Sequence, residues 1–180
     1  SKASFGDNIL ALRQAGAQII VDDLTYGGEW QFQDDEIGQA INQVVADGAL
    51  YFSSTGNEGN LRNNNATVWE GDFVDGGSNP LLPNGTVHSF GGQTYNRITG
   101  ADSSVSLQWS DEYHTSASEY DLYVLSADGT SVVASSTNTQ DGNDEPIEYI
   151  PVVHAGERIR QPPQQGPSAR QGLPHGIGAL

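Results

Sequence analysis

The spacing of apolar residues along the chain predicts two regions of different structure. Over residues 1–62, apolar residues recur with helical periodicity at 5–12 and again at 37–45, which predicts two amphipathic helices. Each helix is followed by a short apolar run, at 19–21 and at 49–52. The first of these runs is typical of a strand that is buried on both faces of a parallel sheet. We therefore expect an α/β unit whose two strands are parallel and joined by a right-handed crossover.

The ends of these elements indicate where a site would lie. Asp34 is a residue type that caps helix N-termini, and Gly48 is a residue type that ends helices. In open α/β sheets, ligand sites form beyond the carboxyl ends of the strands. Here those ends lead into the loops 22–29 and 55–60. These two loops are the first candidates for a functional site.

Residues 63–157 have the pattern of short strands separated by turns, and no helical periodicity. The predicted strand segments are 67–73, 86–90, 104–110, 120–126, 131–136 and 146–153. An Asp-Gly pair between two of these segments predicts a β-hairpin. The pattern as a whole indicates an all-β sandwich of jelly-roll type.

Residues 158–180 differ from both regions. They contain three of the chain's seven basic residues and no acidic residue, and Pro, Gln, Gly and Arg dominate them. Such a composition predicts a low-complexity tail that is disordered. The abrupt change in charge also suggests an out-of-frame end or a truncation artefact. Sequencing the encoding DNA tests this hypothesis, because an intact and continuous frame would contradict it.

Charge and composition exclude some functions and leave others open. A net charge of −16, from 23 acidic and seven basic residues, argues against nucleic acid as a partner, because binding it needs a basic face. The acidic residues either form a solvated surface or ligate calcium, although the sequence has no complete EF-hand loop. No apolar run is long enough to span a membrane, and the absence of Cys excludes disulfides and thiolate metal sites. The absence of Met indicates a processed protein or a fragment.

Two segments of the first region, taken together, resemble the subtilisin-like serine peptidases. IIVDDLTYGG, at 19–28, is similar to the family's substrate-binding strand, which ends in Ser-Leu-Gly-Gly. IGQAINQVVADGALYFSSTGNEG, at 37–59, is similar to the family's helix and strand that end in Gly-Asn-x-Gly. Residues 63–157 resemble a β-rich domain that some large secreted subtilases carry after that Asn. They are also similar to the pre-peptidase C-terminal type of domain.

The resemblance implies a role for five residues of the two loops. The family's Asn that matches Asn57 donates a hydrogen bond to the oxyanion of the tetrahedral intermediate. Gly56 would leave room for the substrate backbone. Thr25, Tyr26 and Gly27 lie where the family pairs with an extended peptide through backbone groups. The alternative is a pair of glycine-bearing loops without a ligand, in which Asn57 is a left-handed turn residue.

The family's catalytic triad has no match in this chain. The Asp motif and the His-Gly-Thr-His motif would both precede residue 1, and the Ser motif would follow the inserted domain. GTSVVAS, at 129–135, imitates the Ser motif, with Ser131 in the place of the nucleophile. We reject this match, because Ser131 follows an Asp-Gly turn and precedes a β-branched segment without helical pattern.

The sequence predicts less about the roles of the remaining polar residues. Asp22 and Asp23 either bind calcium, orient the first loop or cap it, and neither is the catalytic Asp. None of the four His has a partner at metal-ligand spacing, so we expect each to be structural or exposed: His88, His114, His154 and His175. No metal site is assigned and no cofactor is expected, with calcium as the open alternative.

The resulting hypothesis is an internal piece of a secreted, subtilisin-like serine endopeptidase that acts on a polypeptide substrate. Three domains are expected: a partial subtilase α/β core at 1–62, an inserted β-sandwich at 63–157 and the tail at 158–180. The chain would contribute the oxyanion Asn57 and part of the substrate cleft, and would be inactive alone. The alternative is a pseudo-peptidase, or a non-catalytic secreted binding or adhesion module for carbohydrate, protein or calcium.

Overall fold

The helices and the antiparallel sheets of the chain belong to two separate units. The computed structural model describes residues 1–26, 29–57, 59–63, 65–82, 85–100, 102–162 and 176–179. Contacts within the chain divide it into Ser1–Asn65 and Ala66–Leu180. The first unit holds both α-helices, and the described residues of the second unit form several small antiparallel sheets. The expected mixture of an α/β part followed by an all-β part is confirmed at this level.

The first unit has the predicted order of helix, strand, helix, strand. Its elements are α1 Lys2–Gln14, β1 Ile19–Asp22, α2 Glu36–Ala46 and β2 Leu50–Ser53, with a short 3-10 helix at Leu61–Asn63. β1 and β2 pair in parallel, from Ile19 opposite Leu50 to Asp22 opposite Ser53. The predicted parallel pairing is therefore confirmed, and it places the carboxyl ends of the two strands side by side.

One face of this two-stranded sheet packs against the helices. The buried side chains of that core are Ile9, Ile20, Ile37, Ala40, Val44 and Ala49. Gly6 lies where α1 meets α2, and a Cβ at this position would be 2.9 Å from the backbone oxygen of Glu36. The close approach of the two helices therefore requires glycine at this position.

The other face of the sheet is exposed, which corrects the expectation that the first strand is buried on both faces. The exposed fractions are 61% for Ile19, 70% for Val21, 57% for Leu50 and 54% for Phe52. Because Ile19 pairs with Leu50 and Val21 with Phe52, the four side chains form one apolar patch. The sequence has the pattern of a doubly covered strand, but both helices lie on the opposite face.

Asp35, and not Asp34 as predicted, caps the N-terminus of α2. Its Oδ1 accepts hydrogen bonds from the backbone amides of Ile37 at 2.9 Å and Gly38 at 3.2 Å. Its Oδ2 lies 3.0 Å from Nζ of Lys2. Burial raises the pKa of Asp35, but the bonds from Lys2, Gly38 and Ile37 together lower it below its usual value.

Replacing Asp35 with Ala should lower the free energy of unfolding of the first unit by about 1–2 kcal/mol, because two helix amides lose their acceptor. Urea unfolding followed by helical circular dichroism measures this change. Asp34→Ala is the matched control. The exposed Asp34 carboxylate accepts from the Asn42 side chain and, among the described residues, from no helix amide, so the backbone cap persists without it. An equal loss in both variants would contradict the assignment of the cap.

The second unit contains two four-stranded antiparallel sheets. Its strands are β3 Trp69–Asp72, β4 Asn96–Arg97, β5 Ser103–Trp109, β6 Leu122–Leu125, β7 Val132–Ser136, β8 Ile147–Val153, β9 Arg158–Arg160 and β10 Gly176–Ala179. The strand orders are β3-β10-β5-β8 and β4-β9-β6-β7. β6 pairs with β7 across the turn that contains Gly129, whose φ of +77° requires glycine. The hairpin predicted from Asp-Gly is thus confirmed.

Side chains from both sheets meet in one core. Its members are Val105, Leu107, Trp109, Leu122, Val124, Ile150, Val153 and Ile159. β6 is buried at all four of its positions. A second cluster of Leu82, Val87 and Tyr123 covers the outer side of this strand, so both of its faces lie away from water.

The prediction that residues 158–180 form a disordered tail is wrong for residues 158–162 and for β10, Gly176–Ala179, which pairs with β3 and β5. Arg158–Arg160 forms β9, which pairs with both β4 and β6, and Ile159 reaches the core. Residues 158–160 alternate as a strand does, with Ile159 as the single apolar residue. The strand was missed because the two flanking arginines dominate the composition of this segment. Residues 163–175, with His175, and residue 180 lie outside the described residues. The predicted strand at 86–90 is reduced to one bridge, between Asp75 and His88.

His88 is a buried histidine that packs among aromatic rings. Its ring centroid lies 4.6 Å from those of Trp69 and Phe90 and 5.5 Å from that of Phe73. Its Nδ1 accepts a hydrogen bond from the backbone amide of Val74 at 3.0 Å. Burial lowers the pKa of His88, because the charged ring would lose its hydration. Protonation of Nδ1 would also break the bond from Val74.

His88 should make the second unit less stable in acid. An unfolded His has a pKa of about 6.5. As pH falls from there towards the lower pKa of folded His88, the unfolded chain binds a proton that the folded chain does not, so stability is lost. Urea unfolding at several pH values should show a shallower acid loss in His88→Gln than in the wild type.

His154→Gln is the control for this prediction. His154 is exposed, and its hydrogen bond to Asp102 at 2.8 Å raises its pKa. The contribution of His154 is present at low pH and is lost as pH rises, which is the opposite sign. If His88→Gln kept the full acid loss of the wild type, the assignment to His88 would be wrong.

Candidate functional site

The parallel ladder brings the two candidate loops to the same edge of the first unit's sheet. Asp22 and Ser53 are the last paired residues of β1 and β2. The backbone amide of Ser54 donates to the carbonyl oxygen of Asp22 at 3.2 Å, which extends the ladder by one residue. The described loop segments 23–26 and 54–57 therefore leave the sheet side by side, as expected for sites in open α/β sheets.

The Asp22 carboxylate ties the ends of the two strands together. Its Oδ1 accepts from the hydroxyl of Ser53 at 2.9 Å, and its Oδ2 accepts from the hydroxyl of Tyr51. Burial and this bond to Asp22 raise the pKa of Tyr51, which stays protonated as a donor. The amide of Leu24 lies 3.4 Å from Oδ1 of Asp22. Of the roles considered for Asp22, these contacts favour orientation of the first loop.

The sequence reasoning missed Tyr51 and Ser53, although a signal for them exists. Residues two apart on a strand share a face, and Ser53 lies opposite Asp22 in the parallel register. Once the register is known, both hydroxyls are expected on the side of the Asp22 carboxylate. The pattern of either strand taken separately does not reveal this cluster.

A cleft of about 210 Å³ opens beside this cluster. Asp22, Leu24 and Ser53 line one part of it, and Glu29 and Trp30 line another. Partial burial raises the pKa of Glu29, and the negative charges of Asp35 and Asp22 raise it further. The cleft therefore offers carboxyl groups, a hydroxyl and an aromatic ring to a ligand that reaches the sheet edge.

The predicted substrate-binding residues lie partly in the core and partly at the surface. Tyr26 is half-buried, and its ring lies 5.4 Å from that of Phe5 in α1. Thr25 is exposed, and Gly27 lies outside the described residues. The packing of Tyr26 anchors the end of the described segment and leaves Thr25 on the surface.

Asn57 is exposed, and its side chain forms no hydrogen bond with a described residue. Gly56 has a φ of +70°, whereas the φ of Asn57 is not positive. The left-handed residue of this turn is therefore Gly56, and the alternative that Asn57 is present for a left-handed conformation does not hold. The Asn57 amide remains available to a ligand at the sheet edge.

Described residues 59, 60, 63 and 65 contact one another closely. Gly59 has a φ of +80°, and a Cβ on it would lie 2.0 Å from the carbonyl oxygen of Asn65. The side chain of Asn65 accepts from the amide of Asn60 at 3.0 Å, and the side chain of Asn60 accepts from the amide of Asn63 at 2.9 Å. Glycine is thus required at position 59 by a close backbone approach.

Within the described residues, no hydrogen bond joins the first loop segment, 23–26, to the second, 54–57.

Ser131 and the described histidines do not form a catalytic pair. Ser131 lies in the turn between β6 and β7, where its amide donates to the hydroxyl of Ser126 at 3.2 Å. His114 pairs with Glu145 at 2.7 Å and His154 with Asp102 at 2.8 Å, and neither is bonded to Ser131. Ser131 has the geometry of a turn residue.

The described part of the chain holds no group of three or more His, Cys, Asp or Glu side chains placed to bind a metal ion. Calcium, which also uses amide and carbonyl oxygens, stays an untested alternative. In the same described residues, neither α1 nor α2 has the length and apolar character that a membrane-spanning helix needs.

No family model, no curated protein and no solved structure matches this chain. The candidate site therefore rests on the chain's own residues and their geometry.

The Tyr51 hydroxyl should stabilise the first loop. Tyr51→Phe removes one donor to Asp22 and should lower the free energy of unfolding of the first unit by about 1 kcal/mol. Hydrogen exchange of the amides at 23–26 should become faster, because Asp22 loses a fixed partner. Tyr149→Phe is the control, since Tyr149 is exposed in the second unit. Unchanged exchange at 23–26 would contradict the role of this bond.

Proposed function

We propose that this chain is part of a secreted, subtilisin-like serine endopeptidase in which Asn57 donates a hydrogen bond to the oxyanion. One observation carries the proposal: an Asn whose side chain has no hydrogen-bond partner among the described residues follows a parallel strand at its carboxyl end, beside the loop that would bind substrate. A preorganised amide donor stabilises negative charge that develops only in the transition state. Asn57 would therefore accelerate the reaction without binding the ground state more tightly.

The neighbouring residues receive matching roles. Thr25, Tyr26 and Gly27 pair with an extended substrate through backbone groups. Gly56 leaves room for the substrate chain before Asn57. The bonds from Tyr51 and Ser53 to Asp22 support this proposal, because they fix the ends of both strands from which the two loops begin. A catalytic donor needs such support, since a small displacement from the oxyanion removes most of its effect.

The exposed apolar patch supports a larger α/β parent. Parallel sheets occur almost only with both faces covered. In this chain Val21 and Phe52 lie side by side, and each is more than half exposed. We infer that further strands and helices of the parent protein cover this face. Those segments would also carry the Asp, the His and the Ser of the triad, so the chain alone is inactive.

The second unit would be the domain inserted after Asn57. Its strands would be arranged as in a jelly roll. Two antiparallel sheets that share one core support a sandwich of this kind. Calcium is not needed for the proposed chemistry, which is acyl transfer to a Ser with a His as general base.

The main alternative is a secreted binding or adhesion module, or a pseudo-peptidase, in which the first unit serves only as a scaffold. The flanking gene distinguishes the two. An upstream Asp motif and His-Gly-Thr-His motif, with a downstream Gly-Thr-Ser motif, favour the peptidase. Substituted motifs favour the alternative.

In the peptidase formed with the flanking segments, Asn57→Ala should lower kcat by roughly 10²–10³ and leave KM nearly unchanged, a range that comes from subtilisin itself. Ser131→Ala is the matched control and should be as active as the wild type. The purified 180-residue chain should not hydrolyse peptides. Peptidase activity of this chain that Ser131→Ala abolishes would overturn the proposal.

A further inference from the structure

Three arginines of the second unit lie on one face of a sheet, and two of them lie over one tyrosine ring. Arg97 of β4 lies directly opposite Arg158 of β9, and Arg160 lies two residues further along the same strand. Directly paired residues and residues two apart share a face of a sheet. The Cζ atoms of Arg158 and Arg160 lie 4.6 Å and 5.9 Å from the centre of the Tyr95 ring. Ile159, between them, points the other way into the core.

None of these arginines has a carboxylate partner among the described residues. No ion pair or hydrogen bond within those residues joins the side chain of Arg97, Arg158 or Arg160 to an acceptor. The Nε atoms of Arg158 and Arg160 are buried without an acceptor, and Arg160 is only 9% exposed. The chain has 23 acidic residues, so the lack of a partner at this place is a specific feature of the fold.

An unpaired, buried cation is costly for the folded protein. Burial lowers the pKa of Arg160, and the positive charge of Arg158 lowers it further, while Tyr95 opposes this effect. Contact with an aromatic ring recovers part of the lost hydration but leaves the charge uncompensated. An anion bound at this place would satisfy the free N–H groups and the excess charge together.

The surrounding backbone keeps these guanidinium groups in position. The Arg158 guanidinium lies over Gly129, where a Cβ would be only 2.5 Å from its Nη1. Among the described residues, the adjacent Asp128 forms no ion pair with Arg158, and its Oδ1 accepts from the hydroxyls of Ser126 and Thr130 in the hairpin turn. Arg97 is exposed, and so one side of the cluster is open to solvent.

We propose that Arg97, Arg158 and Arg160, with Tyr95 beneath them, form a binding site for an oxyanion such as a phosphate, sulfate or carboxylate group. Planar guanidinium forks match the oxygens of these groups, and two or more forks can hold one of them from several sides. The site lies wholly in the second unit. It does not depend on the role of Asn57, and its failure would leave the proposed peptidase function unchanged.

The test is an NMR titration of the 180-residue chain with inorganic phosphate, against NaCl at matched ionic strength. The side-chain Nε–H signals of Arg158 and Arg160 are direct probes, because both atoms are buried and lack an acceptor. Saturable shifts of these signals with phosphate, absent with NaCl, are expected. A saturable signal is required because phosphate also stabilises folded proteins by exclusion from their surface.

Variants separate a built site from general charge. Arg158→Gln should weaken phosphate binding roughly tenfold or more, because charge-assisted hydrogen bonds are lost. Arg158→Lys should bind phosphate more tightly than Arg158→Gln but more weakly than the wild type, since lysine keeps the charge without the planar guanidinium group. Arg97→Gln should weaken binding while the exposed position leaves the fold intact. Arg62→Gln, which removes an exposed arginine of the first unit, is the control and should bind as the wild type.

Sulfate and acetate titrations identify the anion class. Tighter binding of phosphate and sulfate than of acetate favours a doubly charged group, and the reverse order favours a carboxylate; either result supports the site. Linear shifts without saturation for every anion would overturn the proposal. Equal affinity of wild type, Arg158→Gln and Arg97→Gln would also overturn it.

Discussion

The parallel ladder between β1 and β2 determines the geometry of the first unit. It aligns Asp22 with Ser53 and so places two loops at one edge of the sheet. The same register brings the hydroxyls of Tyr51 and Ser53 to the Asp22 carboxylate, which holds the strand ends in place. A shift of the register by one residue would turn these side chains to the opposite face and separate the two loops.

The two faces of this sheet differ in their exposure to solvent. One face packs against α1 and α2 and supplies the core that lets the unit fold. The other presents paired apolar side chains to solvent, among them Val21 and Phe52. An uncovered parallel sheet is unusual. Under the proposed function, an additional layer of a larger protein would cover this face, so the proposal would explain the exposed face as well as the position of Asn57.

The sequence predicted those parts of the fold that depend on local periodicity. The two helices, the parallel strands and the hairpin turn at Gly129 each have a signal within a few residues. Features that depend on distant neighbours were missed. Asp34 and Asp35 are equivalent as caps in the sequence, and the proximity of Lys2, more than 30 residues away, distinguishes Asp35.

The misses in the second unit have a similar cause. Composition indicated a tail from residue 158, but pairing with β4 and β6 makes Arg158–Arg160 a strand. Glu148 is fully buried in β8, where the side chains of Asn138 and Gln140 donate to it. Periodicity cannot predict that a charged residue will find such partners. For the candidate site, the sequence located Asn57 and the first loop, whereas the contacts of Asp22 required the structure.

The central claim is that the Asn57 amide binds the oxyanion at the carboxyl end of β2. The most direct measurement is a crystal structure of the parent peptidase with a peptide boronic acid bound to its nucleophile, since the boronate imitates the tetrahedral intermediate. The account predicts a boronate oxygen at roughly 2.7–3.1 Å from Nδ2 of Asn57. A boronate whose oxygens are bound by other donors, with Asn57 out of hydrogen-bonding reach, would contradict it.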